Sequence, residues 1–331
     1  MARKIDRITV FRIGVFLLAC YYLAILLAGE RASTFFWIFG VLLGTGYGFY
    51  WLAFNVLTFE ITEPETRDIF NGYLGILSSL GGILGPLVAG WILSRFTEHG
   101  YHFIFTIALF LFALATVLSI FMQRRPAQGR YLLAGILKER SRNKNWKMIT
   151  NASFTQGIRE GVFAFLINLH VFLAANSEMA LGIFACVNSL VSMAAYFAVG
   201  RLLKKNRRKK AIFIGGLALF LAVFLIIFRP SLLLFIIYGV IISLAYPLLL
   251  VPYLSTVYDV IGSAQDGGKF RIEYLVVREL FLNLGRSLSI CTFLLLIFYF
   301  SAKTVIPYLL VIFGAGYFLI YFFIARIPEL E

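Results

Sequence analysis

The chain has 331 residues, 61% of them hydrophobic and 14% charged, with a mean hydropathy of +0.89. Water-soluble domains carry about 25% charged residues, so this composition excludes a soluble enzyme and asks for lipid around most side chains. The net charge of +14 sits between apolar runs, without a basic domain interleaved with aromatics; it reads as the basic cytoplasmic loops of a membrane protein and excludes a nucleic-acid partner.

Ten apolar segments are predicted as transmembrane helices, at 8–29, 34–57, 70–93, 101–122, 151–175, 178–200, 211–228, 231–257, 273–299 and 304–325. Each approaches the roughly 20 residues needed to cross a bilayer. Arg3, Lys4 and Arg7 precede the first, as in a secretion signal. That run is too long for one and lacks a small-residue cleavage site, so it is read as a retained helix. The longest polar stretch, 123–150, has eight Lys or Arg between Arg124 and Lys147 and is read as a linker. Within it Tyr131–Leu137 is either a short amphipathic helix on the membrane surface or a solvated loop. Placing both termini in the cytoplasm leaves only Arg31, Arg95, Arg229 and Lys303 on the far side. That asymmetry supports the count and predicts a plasma-membrane location with cytoplasmic termini.

The sequence repeats itself weakly. GVLLGTGYGFYWLAFNVLTFEIT from Gly40 parallels GVIISLAYPLLLVPYLSTVYDVI from Gly239, each ending near an acid, Glu60 or Asp259. Arg67 and Arg271 open the segments that follow, and Gly81 and Gly285 fall at matching places. Phe11–Gly14 also resembles Ile212–Gly216. The first four segments therefore repeat as the last four. Internal repeats with a solute site between them are a transporter feature.

These features resemble the major facilitator superfamily, whose members have two six-helix halves and a basic loop reading roughly GxxxDRxGRR. Here that loop is GRLLKKNRRKKAIFIG, Gly200 to Gly215, with Arg208 and Lys209 at the basic pair. Lys204 stands at the family's aspartate, which predicts that the charge lock is absent. GGILGPLVAG, Gly81 to Gly90, resembles the family's Gly-Pro motif in the fifth helix; small residues there let helices approach and Pro86 bends the chain. The arginine of many drug–proton antiporters is replaced by Gly40. The resemblance implies an all-α integral membrane protein in two bundles: a four-helix bundle at 1–122, a basic linker at 123–150 and a six-helix bundle at 151–331. It also implies that two helices of the family pattern precede Met1.

Ionisable groups inside a membrane are functional suspects. In segment 151–175, Gln156, Arg159, Glu160 and His170 share one sector about 100° wide on a helical wheel. In segment 273–299, Glu279, Asn283 and Arg286 share another, with Arg278 off the stripe. Glu160 or Glu279 can carry a coupling proton, and Arg159 or Arg286 can hold an anionic group. Alternatively these charges pair with one another and lock helices, or Arg159 snorkels near its helix start. By the resemblance, the second, fifth and eighth segments line the cavity, which makes Trp51, Asn55, Tyr246 and Tyr253 lining candidates. Pro247 and Pro252 predict a bent or broken eighth helix. Asn188 is read as a residue joining helices.

No HExxH, GxSxG or phosphate-loop motif is present. The spacings of Cys20, Cys186 and Cys291, and of His99, His102 and His170, suggest neither a disulfide nor a metal site. The reading is a secondary transporter, permease or efflux protein, with no enzyme activity and no cofactor. Its partners are the bilayer, a small anionic or zwitterionic solute and, if it is coupled, protons. Two other readings stay open: a truncated, inactive fragment, and a membrane sensor or scaffold that binds without transporting.

Overall fold

The computed structural model describes residues 6–96, 99–122, 132–175, 178–227, 231–264 and 267–328, with backbone only at 30, 164–165, 168–175, 178–183, 232, 267–269 and 302–303. The described residues are almost all helical and contain no strand: α1 (Arg7–Ala28), α2 (Phe36–Ile61), α3 (Arg67–Arg95), α4 (Gly100–Leu118), α5 (Leu133–Glu139), α6 (Lys144–Ala175), α7 (Glu178–Leu202), α8 (Arg208–Ile227), α9 (Leu232–Ser263), α10 (Gly267–Tyr299), α11 (Ala302–Gly314) and α12 (Gly316–Ile324). Each predicted segment falls on one of these helices, the last on α11 and α12 together. Among the described residues, nine helical stretches are long and apolar enough to cross a bilayer. The remaining predicted span lies in α6, where several side chains are outside the described set.

Large apolar side chains cover much of the exterior, among them Trp37, Phe110, Leu295 and Phe298. In water such a surface would associate; in lipid it is the ordinary outer face of a helix bundle. Helices there gain nothing from apolar burial against each other and hold together through close packing and polar contacts instead.

Two compact units are present. The first comprises Met1–Ile61, Leu87–Leu132 and Lys269–Val276. In it α1 packs on α2 and α4. Gly14 makes the first contact close: a Cβ there would meet the Tyr50 nitrogen at 2.5 Å. Arg12 ties α1 to the end of α4, donating from Nε to the Ser119 carbonyl at 3.0 Å and from Nη2 to that of Ile120 at 3.0 Å. The second unit comprises Thr62–Pro86, Leu133–Gly268 and Val277–Glu331. Its core is an aliphatic and aromatic cluster including Val162, Leu166, Val223, Phe235 and Leu310. In it α9 packs on α7 and α8, and α12 on α6 and α8.

Three sequence expectations change here. The linker contains a helix, α5, two residues later than predicted; Tyr131 itself lies outside the described residues. The Trp146 indole donates to the Ile136 carbonyl at 3.2 Å, and Ile136 is buried while Leu137 stays exposed. Next, α9 is not broken. Pro247 and Pro252 both lie inside one continuous helix, which packs on α7 and α8; neighbouring helices commonly let a membrane helix tolerate proline. Last, the Gly-Pro motif of α3 is mostly not a close-approach surface. Gly82 faces Ser189, whose Oγ would be 2.4 Å from a Cβ, whereas Gly81, Gly85 and Gly90 have open space.

Candidate functional site

Two glycines set the site. On α6, a Cβ at Gly157 would lie 1.9 Å from the Leu282 carbonyl oxygen; on α10, one at Gly285 would lie 2.2 Å from that of Phe154. The two backbones therefore touch, which only glycine permits. This contact places Glu160, one turn past Gly157, beside Arg286, the residue after Gly285. Arg286 donates to Glu160 Oε2 from Nη2 at 2.5 Å and from Nε at 3.1 Å. Glu160 Oε1 accepts from Gln156 Nε2 at 2.7 Å and from the Tyr317 hydroxyl at 3.2 Å. The pair is partly open: the side chains of Arg286 and Glu160 are 38% and 17% exposed.

Next to it, helices α6 to α10 and α12 line a cavity of about 680 Å³. Small-molecule sites usually span about 300–1,000 Å³. Most of the wall is apolar or aromatic, with Phe163, Phe184 and Tyr246 among its residues. Arg159 also lines it, and is only 5% exposed. Its guanidinium lies over the Tyr317 ring at 4.2 Å and the Phe163 ring at 4.6 Å from the centroids. The Tyr238 hydroxyl is within hydrogen-bonding reach. Among the described residues no carboxylate pairs with Arg159, and its Nε has no hydrogen-bond partner. Cation–π contacts stabilise it by about 0.5–2 kcal/mol, less than the several kcal/mol that desolvating a charge costs. With Arg159 and Arg286 against Glu160, the described lining residues carry one net positive charge.

The predicted polar sectors divide. Arg159, Glu160, Arg286 and Tyr246 meet at the cavity. Arg159 is not near the start of its helix: α6 begins at Lys144, and the side chain is buried. Gln156 is a bridge: besides bonding Glu160, it accepts from Arg278 Nη2 at 3.4 Å. Glu279 pairs with its neighbour Arg278 at 2.8 Å. Asn283 is exposed, donates to the Glu279 carbonyl at 2.8 Å and accepts from Arg286 at 3.2 Å. None of these three lines the cavity. His170 lies on α6, but its side chain is outside the described residues. Trp51 and Asn55 lie on α2 in the first unit, where Trp51 is exposed and meets Tyr50 and Phe54 edge-on. Tyr253 is buried against α6, bonded to the Ser153 hydroxyl at 2.9 Å, instead of lining the cavity. Conversely, Tyr238, Tyr317 and Asn188 line it. Tyr238 and Tyr317 carry no periodic signal in their apolar runs and were not singled out; Asn188 was, but as a residue joining helices rather than lining a cavity.

A second set of charges lies at the helix ends. The predicted absence of a charge lock is overturned: the acid missing at Lys204 is supplied from elsewhere. Arg208, almost fully buried, bonds Asp68 from Nε at 2.9 Å and Asp259 from Nη1 at 2.6 Å. Arg67 also pairs with Asp259. In the first unit Glu60 pairs with Arg7 at 2.8 Å and with Arg271 at 2.6 Å. These clusters follow the repeat. Each acid ending the second helix of a repeat, Glu60 or Asp259, takes an arginine from the preceding helix of its own repeat. It takes another, Arg271 or Arg67, from the opposite repeat.

The sequence profile described as Major Facilitator Superfamily matches residues 1–268. An uncharacterized protein of Bacillus subtilis strain 168, YqgE, is 54% identical over 328 residues, covering 99% of this chain and 76% of its own length. Another uncharacterized protein, from the sodM 3' region of Geobacillus stearothermophilus, is 47% identical over 134 residues, which is 40% of this chain and 63% of its own. Among solved structures, the human organic anion transporter MFSD10 has a TM-score of 0.70 at 18% identity, over 96% of this chain and 77% of its own. The E. coli fucose:proton symporter has a TM-score of 0.69 at 13% identity, over 97% of this chain and 84% of its own.

Proposed function

Because the chain belongs to the Major Facilitator Superfamily, a multi-pass membrane transporter and not an enzyme, we propose that it moves a small organic anion by alternating access, with the Arg159 cavity as the solute site. One observation carries this: Arg159 is buried at the cavity wall and, among the described residues, no carboxylate pairs with it. An anion matches it and removes the desolvation cost of a lone charge. The neighbouring Glu160–Arg286 pair is matched already and supplies the coupling. A proton on Glu160 releases Arg286 and adds a second positive charge, so anion and proton enter together. The fold is used by an organic anion transporter and by a sugar:proton symporter; the charge of this cavity favours an anion. The two arginine–acid clusters open and close as the bundles at 1–122 and 151–331 exchange access, with 123–150 linking them. The excess of Lys and Arg in the loops supports cytoplasmic termini and a plasma-membrane location.

The test is flux in proteoliposomes. Uptake of a panel of radiolabelled short-chain carboxylates is measured with and without an inward proton gradient. Uptake should follow the gradient and fall at least tenfold in Arg159→Gln. Uptake unchanged in that variant refutes the proposal, and uptake indifferent to the gradient removes the coupling.

A further inference from the structure

We infer that the solute is a monoanion with a long apolar body, its acid group at Arg159 and its carbon chain lying along α6 and α10; this rests on the cavity being the solute site.

The cavity is charged at one level and apolar beyond it. Helices α6 and α10 lie side by side and run the same way: a Cβ at Gly157 would meet the Leu282 carbonyl oxygen, and one at Gly161, a turn later, would lie 2.5 Å from that of Arg286 and 2.3 Å from the Ser289 hydroxyl. Arg159, Glu160 and Arg286 therefore share a level. Past it the lining side chains of both helices are apolar, Phe163 and Ile167 at one and two turns along α6 and Ile290 one turn along α10. Helix α9 runs the other way. Its Tyr253 bonds Ser153, while Tyr246, two turns earlier, reaches the charged level by stacking on Tyr317, with centroids 5.8 Å apart. Ile242, one turn before Tyr246, continues the apolar wall, and Phe184 packs at Gly239 a turn further on. From Arg159 to Ile167 the helix rises about 12 Å, room for a chain of roughly eight carbons.

The polar groups at the charged level are bonded to one another. Glu160 accepts from Arg286, Gln156 and Tyr317, and the Tyr238 hydroxyl is within reach of Arg159. Further along, Asn188 has its Oδ1 packed against Gly239, where a Cβ would lie 2.1 Å away. Among the described lining residues every charge lies at the one level. A second acid group at the far end of the solute would be desolvated without a counter-charge, which rules out a diacid. The serine hydroxyls of Ser192 and Ser243 are too few to replace the water around a sugar. An alkyl chain or an apolar ring loses nothing there and gains by leaving water.

The experiment is equilibrium binding to the purified full chain in nanodiscs, by calorimetry at neutral pH, with empty nanodiscs as the reference for uptake into lipid. The probes are butyrate, hexanoate, octanoate and suberate, the last an octanoate chain with an acid group at each end. Affinity should rise roughly threefold for each methylene added from butyrate to octanoate. Suberate should bind about tenfold weaker than octanoate, or worse. Ile242→Phe and Ile290→Phe each fill the wall one turn beyond the charges, and each should weaken octanoate about fivefold more than butyrate. If one variant does not fold the other decides, and the chain-length series on the unaltered protein needs neither. Equal binding of butyrate and octanoate overturns the inference and leaves the anion site standing. Suberate binding as tightly as octanoate overturns it in favour of a diacid. Equal losses for butyrate and octanoate in both variants overturn the placement of the chain. Binding of none of the carboxylates overturns the anion reading itself.

Discussion

Replacing Gly157 with alanine tests the contact on which the site is built. The new Cβ would lie 1.9 Å from the Leu282 carbonyl oxygen, 2.9 Å from the Leu282 carbonyl carbon and 3.1 Å from the Arg286 nitrogen. These are backbone atoms and cannot rotate away. Restoring ordinary contact needs α6 and α10 to separate by roughly 1–1.5 Å, and overpacking of this kind costs about 1–3 kcal/mol. Alanine's helix propensity returns at most about 1 kcal/mol, so the variant should be less stable on balance. Its melting temperature in detergent should drop by several degrees, and the anion affinity should change with it, because the separation stretches the Arg286–Glu160 bonds of 2.5 and 3.1 Å. Gly85→Ala is the control. Nothing lies within 4 Å of a Cβ there, so it keeps the propensity gain without the clash and should melt at or slightly above the parent. A Gly157→Ala protein as stable as Gly85→Ala would show that the helices are not in contact, and the geometry of the site would fall with it.

Two more outcomes follow from the ion pairs. Arg208→Gln strands Asp68 and leaves Asp259 with Arg67 alone, and breaking a buried pair costs about 3–5 kcal/mol. It should destabilise more than Arg7→Gln, after which Glu60 keeps Arg271; thermal unfolding of both variants decides, and equal losses would refute the shared role of Arg208. For the site, a double-mutant cycle of Glu160→Gln and Arg286→Gln on stability should give a coupling of about 0.5–3 kcal/mol. Additive effects would mean that the two side chains do not meet.

The helices were readable because a bilayer imposes a length on them, and a run of some 20 apolar residues is visible without knowing what packs on it. The meeting of Arg159, Glu160 and Arg286 was readable in part, since a helical wheel places residues of one helix on one face. What it could not supply was the partner helix. Gln156 and Glu279 share those faces, yet they are taken up by Arg278, a residue that the wheel set aside. Asn188 was read as joining helices because a lone amide in an apolar run usually does; its unmatched oxygen exists only once α7 and α9 are together. The charge lock was judged absent from one position, Lys204. Its replacement, Asp68, sits 140 residues from Arg208, beyond the reach of any local motif.

The two arginine–acid clusters also mirror one another along the sequence. Glu60 reaches Arg271 while Asp259 reaches Arg67, so the acid of each repeat grips the arginine of the other, and the same contact is made twice with roles exchanged. The two contacts differ in detail: the first repeat uses a glutamate and the second an aspartate, and Arg208 also bonds Asp68. Removing either acid therefore takes a partner from two arginines at once, one in each repeat.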